Sequence, residues 1–187
     1  MRKVIVGLGN PTKEYVDTRH NTGFMYIDYL LTQHKDKEIR EKKLKNSVIY
    51  EIGDDLILAK PQTFMNNSGL AVKEVVQWLD VDIAKELIIV HDDLDILLGK
   101  YKFQFAKSPK DHKGVKSVED HVGTVRFYRL RIGIDNRGDR QIDTSASSVC
   151  SGEEYVLRKF SEEELTRIRN VFGTINIALL SSNISVS

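Results

Sequence analysis

Lys3-Val4-Ile5-Val6-Gly7-Leu8-Gly9-Asn10-Pro11 is a short apolar run closed by turn residues, which reads as a buried strand with a sharp exit. Leu87-Ile88-Ile89-Val90 repeats the pattern and ends in His91-Asp92-Asp93-Leu94-Asp95. Strands with no polar alternation need cover on both faces of their sheet. Helical spacing supplies that cover: Phe24, Ile27, Leu30 and Leu31 follow His20-Asn21-Thr22-Gly23, and Leu70, Val72, Val75, Val76 and Leu79 follow Ser68, whose hydroxyl is placed to cap the first turn. Ser161-Glu162-Glu163-Glu164 is a capping box ahead of Leu165, Ile168, Phe172, Ile175 and Leu179. Ser47–Ile52 and Leu56–Lys60 flank Gly53-Asp54-Asp55 as a hairpin, and Tyr101–Phe105 and Arg126–Ile134 are further strands. Lys35–Lys45 reads as a charge-rich connector. Strands interleaved with helices predict an α/β fold: one domain over residues 1–187, built on a twisted, mixed but mostly parallel sheet with helices on both faces.

At 187 residues the chain is long enough to bury a real core. With 41% hydrophobic and 29% charged residues it does not have the composition of a disordered or fibrous chain. The single cysteine, Cys150, permits no intramolecular disulfide and points to a reducing compartment. No run of ~18 apolar residues is present to span a membrane. Because the first residues enter a strand directly, no signal peptide is expected, and the expected location is the cytoplasm. Net charge is only +1, yet between Lys100 and Arg140 eleven Lys and Arg residues face five acids. A basic segment of this kind attracts a polyanion such as nucleic acid, or simply keeps a loop solvated.

Several chemistries can be weighed on the residues present. Gly7-Leu8-Gly9 starts like a dinucleotide fingerprint, but the third glycine is replaced by Thr12 and Pro11 stiffens the turn, so no nucleotide cofactor is expected. The acids of His91–Asp95 suit a magnesium ion, a turn held by local hydrogen bonds, or a carboxylate that orients a histidine. Without a phosphate-binding loop beside them, metal ranks last, and no metal is expected. There is no Gly-x-Ser-x-Gly elbow, Cys150 has no adjacent histidine, and the five histidines lack zinc-ligand spacing. What remains is Asn10, His20-Asn21, Asn66 and Asp92, each at a strand end or helix start, which in an open α/β sheet gather on one rim. Taken singly each fits a turn-stabilising role. Together, an imidazole, a carboxylate and amides are sufficient for hydrolysis by activated water.

Val6-Gly7-Leu8-Gly9-Asn10-Pro11, Tyr15, Thr18–Gly23, Lys60–Gly69 with its Phe64-Met65-Asn66 core, His91–Asp95, Arg129–Gly133 and Tyr155-Val156-Leu157 resemble, in order, the blocks of the bacterial-type peptidyl-tRNA hydrolase family. The resemblance runs from about residue 3 to about residue 160. It implies a cofactor-free esterase that cleaves the bond between a peptide and the 3′-ribose of tRNA; a monomer acting on peptidyl-tRNA is the expected form. Carried over by position, His20 is the general base and Asp92 orients it. Asn10 and Asn66 hold the substrate's 3′-end and peptide backbone, while Tyr15, Asn21 and Met65 belong to the substrate groove. Arg131 matches a clamp on the tRNA 5′-phosphate, and Lys102 and Lys107, which flank position 104, are expected to contact the tRNA.

The departures fall in one place. Where the family has a glycine-rich loop leading to His-Asn-Gly-Leu-Lys, this chain has Ala106–Lys116, with Lys113 in place of a substrate-contacting asparagine. Gln104 replaces the lysine that partners the clamping arginine. Ser108-Pro109 makes the lid stiffer than glycines would, and a lysine cannot copy an amide because it only donates. Two readings follow: an active hydrolase in which Lys107, Lys110 and Lys113 contact phosphates, or a catalytically weak RNA-binding relative that uses the basic segment alone. Lys113 is further expected to depress the His20 pKa and keep the base neutral near pH 7.

Overall fold

Val4 and Val6 point into one hydrophobic core and Ile5, between them, into the other. The computed structural model describes residues 2–109, 111–136 and 151–176, and alternate packing of this kind organises all of it. The strands are β1 (Lys3–Gly7), β2 (Ile39–Lys43), β3 (Ser47–Ile52), β4 (Leu56–Pro61), β5 (Leu87–Leu97), β6 (Tyr101–Phe105) and β7 (Tyr128–Asp135). They form one seven-stranded sheet in the order β2-β3-β4-β1-β5-β7-β6. The central pairs β4–β1, β1–β5 and β5–β7 are parallel, and both margins are antiparallel. The mixed α/β sheet expected from the sequence is therefore present, its parallel pairing gathered in the core, with Ile5 lying between Leu58 of β4 and Ile88 of β5.

Helices α1 (Thr22–Gln33) and α6 (Glu162–Thr174) cover one face through Tyr26, Ile27, Leu30, Ile168 and Phe172. Helices α2 (Ser68–Leu79) and α4 (Lys113–Val122) cover the other through Val72, Val75, Val115 and Val118. Short helices α3 (Ile83–Glu86) and α5 (Gly152–Leu157) complete the set among the described residues. Helix α1 starts against the strands themselves: a Cβ on Gly23 would lie 2.5 Å from Leu8 N and from Val90 O. Only glycine permits that approach, and it delivers the preceding turn, Arg19–Asn21, to the sheet rim.

Four local expectations differ from the structure. The charged connector contains β2, whose Ile39–Lys43 pairs with β3 from Ile39↔Ile52 to Lys43↔Val48. As an outer strand exposed along Arg40–Lys43 it needs charge rather than apolar alternation, and so hides from a periodicity reading. Strand β5 does not stop at Val90 but continues through the acids to Leu97, with a register shift against β7 between Asp93 and Leu97. Ser68 does not cap α2, because the turn Met65–Asn67 runs directly into the helix; its hydroxyl lies 4.0 Å from Met65 Sδ instead. The stretch read as a loop up to Lys116 becomes α4 at Lys113, although Val115, Val118 and Val122 carry helical spacing. The Ser161 capping box forms as expected, with Glu164 N donating to Ser161 Oγ at 3.3 Å. Leu179, Cys150, Lys110, Arg137 and Arg140 lie outside the described residues.

A buried ion pair ties the rim to α6. Arg19, 2% exposed, donates to both oxygens of Glu164 at 2.7 and 2.8 Å and stacks between the Tyr155 and Phe160 rings at 4.5 and 5.0 Å. Burial would raise the Glu164 pKa, but hydrogen bonds from Ser161, Asn136 and Arg19 hold it below its ordinary value of 4.5. A depressed carboxylate stabilises the fold above its unfolded pKa, and that contribution is lost as pH falls through the folded one. Replacing Glu164 with Ala should cost ~3–5 kcal/mol, because Arg19 is left as an uncompensated buried charge. Denaturant unfolding at pH 7 will measure the loss, and the gap between variant and parent should narrow below about pH 4.

Candidate active site

Asp92 sits in β5 opposite Ile132 of β7 and is 2% exposed. One of its oxygens, Oδ1, receives two imidazoles: His20 Nδ1 at 2.9 Å and His112 Nε2 at 3.1 Å. The imidazole and carboxylate that lie 72 residues apart are thus in direct contact. Burial alone would raise the Asp92 pKa, but the charges and hydrogen bonds of His20 and His112 outweigh it and hold the carboxyl well below the usual carboxylate range. Asp92 is an anion at neutral pH.

Each histidine has a distinct state. His112 Nδ1 accepts the Val115 N–H at 3.2 Å, so the proton resides on Nε2 and is donated to Asp92. His112 is therefore at once the N-cap of α4 and a second donor to the carboxylate. His91 is fully buried, hydrogen-bonded through Nδ1 to the Asp92 carbonyl at 2.6 Å, and in edge contact with His112 at 4.7 Å. Burial and the neighbouring His112 push its pKa well below 6.5, so it stays neutral. His20 is different, with 14% of its side chain exposed. Burial lowers its pKa, the Asp92 charge and hydrogen bond raise it, Lys113 lowers it slightly, and the balance lies above 6.5. The expected net depression by Lys113 is thus corrected: the charge acts in the anticipated direction but is the smallest of the four influences, and Lys113 is itself ion-paired with Glu153.

His20, Asp92, Asp95, Lys113 and Glu153 line one cleft of about 340 Å³. Asn10 and Asn21 line a separate groove of about 460 Å³ with Phe24, Tyr50 and Lys60. The two amides lock together, Asn10 N donating to Asn21 Oδ1 at 2.8 Å and Asn21 Nδ2 to Asn10 O at 3.0 Å. Asn10 Oδ1 also accepts the Met65 N–H at 2.8 Å, which leaves its amide NH₂ as the remaining donor. Met65 is 5% exposed and packs under the start of α4: a Cβ on Gly114 would lie 2.4 Å from its sulfur. Asn66 is exposed beside it, and Tyr15 meets the exposed Phe64 edge to face at 6.3 Å. Asn10, Met65, Gly114, His112, Asp92 and His20 therefore form an unbroken series of contacts.

The basic residues stand apart, on β6, on β7 and just past the end of β6. Lys102 and Lys107 are exposed. Arg131, opposite Lys102, is only 7% exposed, with Nε on Asp93 at 2.7 Å and a terminal nitrogen on Gln104 at 2.5 Å. Gln104 thus accepts from the arginine instead of presenting a second cation. His112 and Glu153 are the site residues that sequence reasoning passed over. Helical spacing of the valines after His112 would have marked it as a helix cap, whereas nothing local signals Glu153. Donor atoms of His20, Asp92 and His112 lie within 4.8 Å of one another, close enough in principle for a metal ion, but here they are engaged with each other.

The fold and the site together define an α/β protein with a histidine–carboxylate pair at the rim of a parallel sheet core. The sequence model described as peptidyl-tRNA hydrolase matches residues 4–184. Peptidyl-tRNA hydrolase of Mycoplasma capricolum is 39% identical over 174 residues, covering 91% of this chain and 87% of the relative. That of Neisseria meningitidis (strain 053442) is 40% identical over 168 residues, covering 89% and 82%. Among solved structures, a peptidyl-tRNA hydrolase bound to N-propanol superposes with a TM-score of 0.76 at 30% identity, covering 92% of this chain and 83% of the other. The Acinetobacter baumannii enzyme gives 0.75 at 29% identity with the same coverage. The chain belongs to the peptidyl-tRNA hydrolase family. No helix among the described residues is long and apolar enough to cross a membrane.

Gly114 gives this site a test in stability. Replacing it with Val should force Met65 and the His112 ring, whose carbon lies 3.1 Å from the same position, out of place. The expected cost is ~1–3 kcal/mol, read as a lower urea midpoint with an unchanged slope.

Proposed function

We propose that the protein hydrolyses the ester joining a peptide to the 3′-ribose of tRNA, with His20 as the base that activates water. The observation that carries this is the 2.9 Å contact between His20 Nδ1 and a buried, ionised Asp92. With Nδ1–H donated to the carboxylate, Nε2 holds the lone pair and can take a proton from water. Attack by that water forms a carbon–oxygen bond and drives the carbonyl electrons onto oxygen. Collapse breaks the bond to the ribose 3′-oxygen, which regains the proton from His20. Asp92 fixes the ring and stabilises its cationic form during the transfer. The free NH₂ of Asn10 and the exposed amide of Asn66 offer donors to the substrate's 3′-end and carbonyl. An aminoacyl ester is already activated, so positioning plus modest oxyanion support suffices.

Tyr15, Asn21 and Met65 would shape the peptide side, and Lys113 the nucleotide side of the cleft. Lys102 and Lys107 would hold tRNA phosphates along the β6–β7 margin, while Arg131, engaged with Asp93 and Gln104, would order that margin and offer its remaining edge. A monomer in the cytoplasm is the working form this reading takes.

Turnover of a short N-acylated peptidyl-tRNA tests the function directly. His20→Ala should abolish cleavage and leave tRNA binding within about twofold, since the basic margin is untouched. Salt-sensitive RNA binding without turnover by the parent would instead support a binding relative. The pH dependence carries the sign. A base works when neutral, so kcat/KM should fall as pH drops through the raised His20 pKa, above 6.5. Asp92→Asn removes the influence that raises it, so the acid limb should move to lower pH while the plateau falls by roughly 10²–10⁴-fold.

A further inference from the structure

Lys113 and Glu153 meet across the mouth of the His20 cleft, one from the first residue of α4 and the other from α5. Their backbones are well anchored. Lys113 follows His112, which is held by Asp92 and Val115, and precedes Gly114, which is pressed onto Met65. Glu153 lies in a first turn fixed by the Ser151–Glu154 capping box, at 3.2 and 3.3 Å. The two side chains themselves are 63% and 74% exposed. Exposed pairs of this kind contribute little net stability and exchange partners readily.

The rest of the cleft makes that exchange consequential. Besides Glu153 it presents Asp92, Asp93, Asp95 and Asp111, and Lys113 is the one Lys or Arg lining it among the described residues. Asp92 is occupied by the histidines and Asp93 by Arg131, while Asp95 and Asp111 are exposed. A phosphodiester approaching His20 thus meets an acidic wall whose single Lys or Arg among the described residues is already neutralised.

We infer that Glu153 holds Lys113 in reserve at the cleft mouth and gives it up to the phosphate of the substrate's 3′-terminal nucleotide, one ribose away from the ester. Glu153 is a positioning residue, and the pair selects a substrate that brings its own anion. This rests on the hydrolase reading above. Of the charged groups around His20, Asp92 from β5 and Lys113 from the start of α4 act on its ring, His112 packs beside it, and Asp93, Asp95, Asp111 and Glu153 line the same cleft.

The test compares the full chain with Glu153→Gln, Lys113→Gln and the double variant on peptidyl-tRNA, and on the peptidyl ester of the terminal nucleoside with and without its 5′-phosphate. At plateau pH Glu153→Gln should lower KM about fivefold on the phosphate-bearing substrates, with kcat within about twofold and KM unchanged on the phosphate-free ester. It should also move the acid limb of kcat/KM to lower pH, because an unneutralised Lys113 disfavours protonated His20; Lys113→Gln should raise KM and move the limb upward. In the Lys113→Gln background the Glu153 effect should vanish. Persistence of the KM drop in that background, or an equal drop on the phosphate-free ester, would overturn the inference in favour of general charge repulsion. If the parent turns over none of the substrates, the hydrolase reading fails separately. The pair is then judged by binding of adenosine 5′-monophosphate against adenosine: tighter monophosphate binding by Glu153→Gln, absent from the double variant, supports the exchange, and equal affinity of parent and variant refutes it.

Discussion

A single carboxylate oxygen accepts two imidazoles inside a protein where almost no water reaches it, and the molecule is arranged around keeping that oxygen charged. An anion at this depth is tolerable only if it is paired and hydrogen-bonded, since desolvation otherwise neutralises it. His20 and His112 provide the pairing from opposite directions along the chain, 72 residues before and 20 after Asp92. Removing either leaves the carboxylate short of a donor, so the His20 ring and the start of α4 are bound into one electrostatic unit.

The sheet explains how such distant residues come together. Parallel strands β1 and β5 lie side by side, and their chain exits fall at the same rim. Glycine at positions 7 and 23 lets α1 seat directly on them, where any Cβ would strike backbone at 2.2 to 2.5 Å. The turn bearing His20 is thereby fixed from below by helix–strand packing and from behind by Arg19 on Glu164. Both supports hold the ring where its Nδ1 meets the Asp92 oxygen.

The apolar runs at Val4–Val6 and Leu87–Val90 made the sheet core legible, and the helical spacings of α1, α2 and α6 were legible with them. Strand β2 was not, because an outer strand is written in charges, and the end of β5 was not, because acids normally break strands and these are held by β7. His20 and Asp92 were recognisable as residues whose chemistry needs a partner, and their contact is what a parallel sheet produces. The state of His20 was not legible: the influence of Lys113 has the expected sign, but a carboxylate in contact outweighs it. Likewise Arg131 is identifiable as a cation in the sequence, yet its near-complete burial against Asp93 and Gln104 depends on which strands lie side by side.

Helix α4 begins on an imidazole instead of a hydroxyl or carboxylate, and that choice has a dynamic consequence. The cap at Val115 exists only while His112 keeps its proton on the nitrogen facing Asp92. Local opening of this helix and loosening of the buried carboxylate are therefore coupled through His112. In amide hydrogen exchange the Val115 N–H should report it, slowing and quickening with the integrity of the centre although the residue does not line the His20 cleft.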